Sequence, residues 1–147
     1  MSTIRQQIMD AIETRFEGIS VANGYNSDMG LHVSHWKATA LNADDFPALE
    51  YRDIGCERME GGPIGSFRWG LSIEVEIITA SGATTMSDVR EMLSDIYKAI
   101  GTDITWGALA QWTEQPSDAV IMEQQDKMIG GAKITFQIVY DVTKWQM

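Results

Sequence analysis

Leu71-Ser72-Ile73-Glu74-Val75-Glu76-Ile77 decides the fold. Successive side chains of a strand point to opposite faces. A period of two therefore puts Leu71, Ile73, Val75 and Ile77 on one side and Ser72, Glu74 and Glu76 on the other. A strand that is dry on one face and wet on the other belongs to an antiparallel sheet covered on one side. Just upstream, Glu60-Gly61-Gly62-Pro63-Ile64-Gly65 has the composition of a hairpin tip. Near the other end of the chain the same alternation returns. Ile134, Phe136, Ile138, Tyr140 and Val142 interleave with Thr135, Gln137 and Asp141. Between them a strand is expected around residues 119–123, with Gly130-Gly131 as the turn into the closing strand.

Two segments have the period that covers such a face. In residues 3–16, Ile4, Ile8, Ala11, Ile12 and Phe16 form one helical stripe, with Ser2 or Thr3 available as cap and Gly18 as stop. In residues 87–100 the stripe is Val89, Met92, Leu93, Ile96 and Ile100. Thr85 and Asp88 stand at capping-box spacing, and Gly101 is the expected end. Residues 23–30 have loop chemistry. Trp36, Ala38 and Ala40 alternate with Lys37 and Thr39 as a strand, residues 42–47 form a turn, and Leu49 and Tyr51 mark a second short strand. The whole reads as one α+β domain over residues 1–147: a mostly antiparallel sheet with two amphipathic helices packed on one face.

Composition sets limits on function. A chain of 147 residues, 44% hydrophobic, can bury a core without staples, and the lone Cys56 excludes an intrachain disulfide. The N-terminus lacks an apolar signal-like region, and no apolar run approaches the roughly 18 residues of a membrane helix, so a soluble, unexported protein without a membrane partner is expected. Net charge is −10, which disfavours attraction to nucleic acid or anionic lipid. An acidic surface can instead line a channel through which DNA slides without sticking.

The search for chemistry assigns no catalytic, cofactor-binding or metal-binding residue. His32 and His35 lead from a loop into a strand, where a spacing of three points them to opposite faces. Cys56 lies in no nucleophile motif. Glu74 and Glu76 share a strand face and are the one carboxylate pair that a small enzyme or ligand-binding domain could use. The glycines at 61, 62 and 65 are followed by no Lys-Ser/Thr and open no helix, as a phosphate loop requires. The five tryptophans stand out. Burial is the ordinary fate of tryptophan, and interface hot spots are the other. Trp106, Trp112 and Trp145, with Arg58, Glu60, Ile64, Phe67 and Arg68 of the hairpin, are the candidate interface residues.

The order of elements resembles the tail terminator (tail completion) proteins of long-tailed phages, the group that includes the lambda minor tail protein U. The resemblance is carried by Ile4-Arg5-Gln6-Gln7-Ile8 in the first helix and Phe46-Pro47-Ala48-Leu49-Glu50-Tyr51 in the early strands. It continues through Ser66-Phe67-Arg68-Trp69-Gly70-Leu71-Ser72-Ile73-Glu74-Val75 in the long hairpin. Asp88-Val89-Arg90-Glu91-Met92-Leu93-Ser94-Asp95-Ile96 in the second helix and Ile134-Thr135-Phe136-Gln137-Ile138-Val139-Tyr140 in the closing strand complete it. The stretch from Trp106 to Trp112 has no counterpart in that pattern. The resemblance implies a structural virion protein, not an enzyme, that assembles in the host cytoplasm. It implies a homo-hexameric ring at the head-proximal end of the tail, which stops polymerisation of the tail tube protein and presents a surface to the head-completion or connector protein. Genomic DNA would pass through the lumen. Another neck or head-closure protein is the alternative within the same class.

Overall fold

The computed structural model describes residues 3–35, 46–80, 82–124 and 128–145. Helix α1 spans Ile4–Glu17, strand β1 Val33–His35, β2 Ala48–Met59, β3 Ser66–Thr79, helix α2 Thr85–Gly101, β4 Trp112–Gln124 and β5 Met128–Thr143. The strands form one five-stranded sheet in the order β1-β2-β3-β5-β4. The β1–β2 pair is parallel and the other three pairs are antiparallel. The architecture is thus α+β, with both helices on the same face of a mostly antiparallel sheet. The strand expected around Trp36, Ala38 and Ala40 and most of the expected 42–47 turn lie outside the described residues.

The alternation in β3 does the predicted work. Leu71, Ile73, Val75 and Ile77 are fully buried, and their β5 partners Ile138, Phe136, Ile134 and Ala132 are buried beside them. Each such side chain removed from water contributes about 1.5–3 kcal/mol. α1 covers this face with Ile8, Met9, Ile12 and Phe16, and α2 with Val89, Met92, Leu93, Ile96, Ala99 and Ile100. The start of α1 is fixed by Thr3, whose hydroxyl accepts from the Gln6 N–H at 3.1 Å. Asp95 is a buried charge on the same side of α2. It accepts from the Asn26 N–H at 2.9 Å and from the Ser27 hydroxyl at 2.6 Å, which ties the 23–30 loop to the helix.

Three local expectations are corrected, while α2 ends at Gly101 as expected. Thr85 does not precede the helix as its cap: it is the first helical residue, buried, and its hydroxyl donates to the Gly82 carbonyl, while Thr84 donates to Asp88. β2 and β4 are far longer than their alternating cores, because both are carried across bulges, at Asp53/Gly55 and at Glu114/Ser117, that break the period of two. Gly130 and Gly131 form no turn. They belong to β5, where the chain passes directly under α2 and beside β3. A Cβ on Gly130 would stand 2.5 Å from Thr85 Cγ2 and 3.0 Å from Val89 Cγ2, and one on Gly131 would stand 2.6 Å from the Ile77 carbonyl oxygen.

Gly130→Ala therefore forces α2 off the sheet and lowers stability by about 1–3 kcal/mol. Gly101→Ala meets no atom within 4 Å and raises stability by up to about 1 kcal/mol through helix propensity. Urea unfolding followed by circular dichroism checks both. Equal effects of the two substitutions would contradict the close seating.

Candidate functional site

Among the described residues two parts of the sheet stand clear of the helices: the β2–β3 hairpin end and the outer strand β4. At one end the β2–β3 hairpin projects, with Glu57, Arg58 and residues 60–65 exposed. Phe67 is its organising ring. Trp69 meets it edge-on at 5.8 Å and Trp145 at 5.1 Å. The Arg58 guanidinium lies 4.8 Å from the ring centroid and the Lys144 ammonium 5.9 Å. The Lys144 N–H donates to the Gly65 carbonyl at 3.2 Å, which fastens the end of β5 to the tip. Trp145 thereby shields Phe67 while staying 87% exposed itself, and Ile64 at the tip is fully exposed. On the opposite face of the same end, Arg68 is held by both oxygens of Asp141 at 2.8 and 3.0 Å. Its guanidinium lies 4.9 Å from the Trp112 ring, whose Nε1–H donates to Glu114 at 2.8 Å.

Seven of the eight candidate interface residues are thus gathered near the hairpin end, in two groups. Arg58, Ile64, Phe67 and Trp145 lie on the helix side or the tip, Arg68 and Trp112 on the open side, and Glu60 at the tip. Trp106 is placed elsewhere. It is 1% exposed, stacks on Phe136 at 6.4 Å, lies 3.9 Å beneath the Arg15 guanidinium and donates from Nε1 to the Thr113 hydroxyl at 2.9 Å. It is a core residue and offers no side-chain surface to a partner. The turn that buries it, between α2 and β4, takes Trp106, Gly107 and Ala108 through left-handed backbone. Asp103 holds that turn: it accepts from the Thr105 hydroxyl at 2.6 Å and from the Thr105 and Gly107 N–H groups at 2.9 and 2.8 Å. The Thr105 hydroxyl first, then the two backbone donors, bring its carboxyl down to about 2.

The second bare region is β4, the outer strand of the sheet. α2 lies over β3 and β5. Val120 and Met122 on the helix side and Ile121 on the open side are therefore left exposed. Asp118 accepts from the Tyr97 hydroxyl at 2.6 Å, which pins the strand to α2. Residues 117–122 all lie at the surface, and among the described residues no strand pairs with their outer main-chain edge.

The residues considered for chemistry are held in other ways. Arg52 binds Glu50 at 2.9 Å, Glu74 at 2.5 Å and Glu76 at 2.8 Å, so the two carboxylates share one guanidinium on an open sheet face. Glu76 borders a cleft with Ile77, Ile121 and Gly130. Cys56 Sγ is 3.8 Å from the Tyr140 hydroxyl, and burial pushes its thiol up, away from the reactive thiolate. His35 stacks on Tyr51 at 4.9 Å with Nε2 3.6 Å from Asp53, which Arg5 already pairs at 2.6 Å. Among the described residues no three His, Cys, Asp or Glu side chains converge as metal ligands.

No protein-family model matches this chain, and no curated protein matches it. The site is accordingly defined by its own geometry: an aromatic and cationic hairpin end, and an apolar, acid-flanked strand edge. β3 runs 14 residues from the hairpin to the level of Met122, about 45 Å at a strand's rise per residue, while Trp112 at the start of β4 lies level with Gly70.

Two tryptophans separate core from surface. Trp106→Ala costs about 3–5 kcal/mol in urea unfolding, whereas Trp145→Ala costs no more than about 1 kcal/mol. The Asp103 turn gives a pH signature. Its folded-state value is depressed, so its contribution is full above the ordinary value of 3.8 and is lost as pH falls through about 2. The melting-temperature gap between the wild-type chain and Asp103→Ala is therefore widest at neutral pH and closes toward pH 2. A gap that ignores pH would show that the carboxylate does not hold the turn.

Proposed function

We propose that this chain is a phage tail terminator: an assembly protein that closes into a ring on the end of the growing tail tube, stops its polymerisation and offers a joining surface to the head. The observation that supports this reading is a pair of unlike exposed surfaces, the hairpin end and the outer edge of β4. A ring of identical subunits needs a heterologous contact, in which one patch of each copy meets a different patch of the next. A single surface would give only a symmetric dimer. The element order and the sequence stretches that resemble the tail terminator family support the same assignment.

The charge fits the role. A chain of net charge −10 becomes a strongly acidic ring on oligomerisation. An acidic lumen repels phosphate and lets a duplex pass without the counterion-releasing contacts that hold DNA-binding proteins in place.

The test is a tube-elongation assay. Purified chain added to polymerising tail tube protein stops lengthening at substoichiometric ratios, and negative-stain images place it on one tube end. Binding to a head connector with no effect on tubes would assign it to head closure instead. Tubes that lengthen unchanged, with no chain bound to tube or connector, would overturn the assembly reading.

A further inference from the structure

We infer that the hairpin end of one copy docks on the β4 edge of the next, so that copies of this chain join head to tail through these two surfaces. The inference names the subunit contact of the assembly proposed above, and rests on that reading for its purpose though not for its geometry.

Charge selects the pair. Copies of a chain at −10 repel one another, and screening confines that repulsion to about 8 Å at physiological salt, so the sign of the surfaces in contact decides whether they meet. β4 carries Glu114 toward the hairpin and Asp118 in its exposed stretch, and no Lys or Arg. The hairpin end is the counterpart. Glu57, Glu60 and Asp141 are matched there by Arg58, Arg68 and Lys144, so it is locally neutral in an acidic protein. Asp141 is taken by Arg68. Arg58 and Lys144 are exposed, lean on Phe67 and have no carboxylate partner among the described residues. A patch without net charge that offers two such cations is thus the surface on which the acidic strand of another copy is least opposed.

Apolar surface selects the same pair. Nine large hydrophobic side chains are exposed among the described residues, and five of them are Ile64 and Trp145 at the hairpin end and Val120, Ile121 and Met122 on β4. β4 does not suit a copy of itself, because β4 against β4 brings two acidic edges together, whereas the hairpin end carries no net charge to oppose it. The bulge at Glu114/Ser117, with Pro116 inside it, also confines regular edge geometry to the stretch that holds the three apolar residues.

The experiment is a charge swap in the full chain, read by light scattering after size exclusion. Arg58→Glu with Lys144→Glu makes both surfaces acidic. Asp118→Lys with Ala119→Lys makes the β4 edge basic and leaves the hairpin end unchanged. Each double variant alone loses about 100-fold or more in association, and an equimolar mixture of the two restores wild-type assemblies, because each variant's hairpin then meets the other's β4. Rising salt weakens the wild-type contact. Thermal melts by circular dichroism establish that both variants fold. A second readout is independent of charge: in a Cys56→Ala background, Ile64→Cys together with Ile121→Cys gives a bismaleimide ladder, while each single cysteine gives monomer.

Variants that assemble like the wild-type chain, a mixture of folded variants that stays dissociated, or cross-linked dimers from a single cysteine would each overturn the contact. A wild-type chain that assembles while the double-cysteine chain gives no ladder overturns the contact and leaves the assembly reading standing. The converse, a ladder from a chain that never stops tube growth, overturns the tail role and leaves the contact. A wild-type chain that is monomeric at every concentration overturns both.

Discussion

The seat of α2 on β5 is the constraint on which the rest of the molecule depends. Gly130 has no side chain because Thr85 and Val89 already fill the space where one would stand. That approach lets Val89, Met92, Leu93, Ile96 and Ile100 reach the dry face of β3 and β5, and α1 completes the cover with Ile8, Ile12 and Phe16. It also fixes what is left over. The hairpin projects at one end, and β4 lies at the outer edge of the sheet. The two bare surfaces are a consequence of where the helix can sit.

Those surfaces differ in how they are stabilised. The hairpin end is held by rings and cations around Phe67 and by the paired hydrogen bonds of Arg68 to Asp141. It is ordered without being buried, as a contact surface should be, since little conformational entropy is lost when it binds. β4 is held from one side by β5 and by the Tyr97–Asp118 hydrogen bond, and among the described residues no strand pairs with its outer edge. Both bulged strands flank the open face, and there Arg52 gathers Glu50, Glu74 and Glu76 into a cluster that neutralises part of the negative charge in place. A surface ion-pair network of this kind adds little stability, but it keeps like charges on neighbouring strands from facing one another unmatched.

The parts of this fold that obey a local period were legible. The alternation at Leu71–Ile77 and Ile134–Val142 and the helical stripes at Ile4–Phe16 and Val89–Ile100 all mark buried faces, because burial repeats with the geometry of the backbone. What was not legible came from contacts between distant residues. Gly130-Gly131 reads as a turn unless α2 is known to lie on it. The alternation at Leu49 and Tyr51 and the strand expected at 119–123 mark only parts of β2 and β4, which bulges at Asp53/Gly55 and Glu114/Ser117 carry further. Trp106 reads like Trp112 and Trp145, and only the left-handed turn fixed by Asp103 sends it inward while the other two stay outside. The hairpin was legible as a projecting tip. Its partnership with Trp145, through Phe67, spans most of the chain and has no local mark. Asp95 was hidden as well, since nothing in its helix says that a loop 68 residues away supplies its donors.

Closure of this chain on itself through unlike surfaces is tested most directly by native mass spectrometry of the full chain over a range of concentrations. One assembled species is expected, at a fixed integer multiple of the monomer mass and unchanged once formed, because a heterologous contact that closes uses up every surface. A mass limited to the dimer, or a series that lengthens without bound as concentration rises, would contradict it.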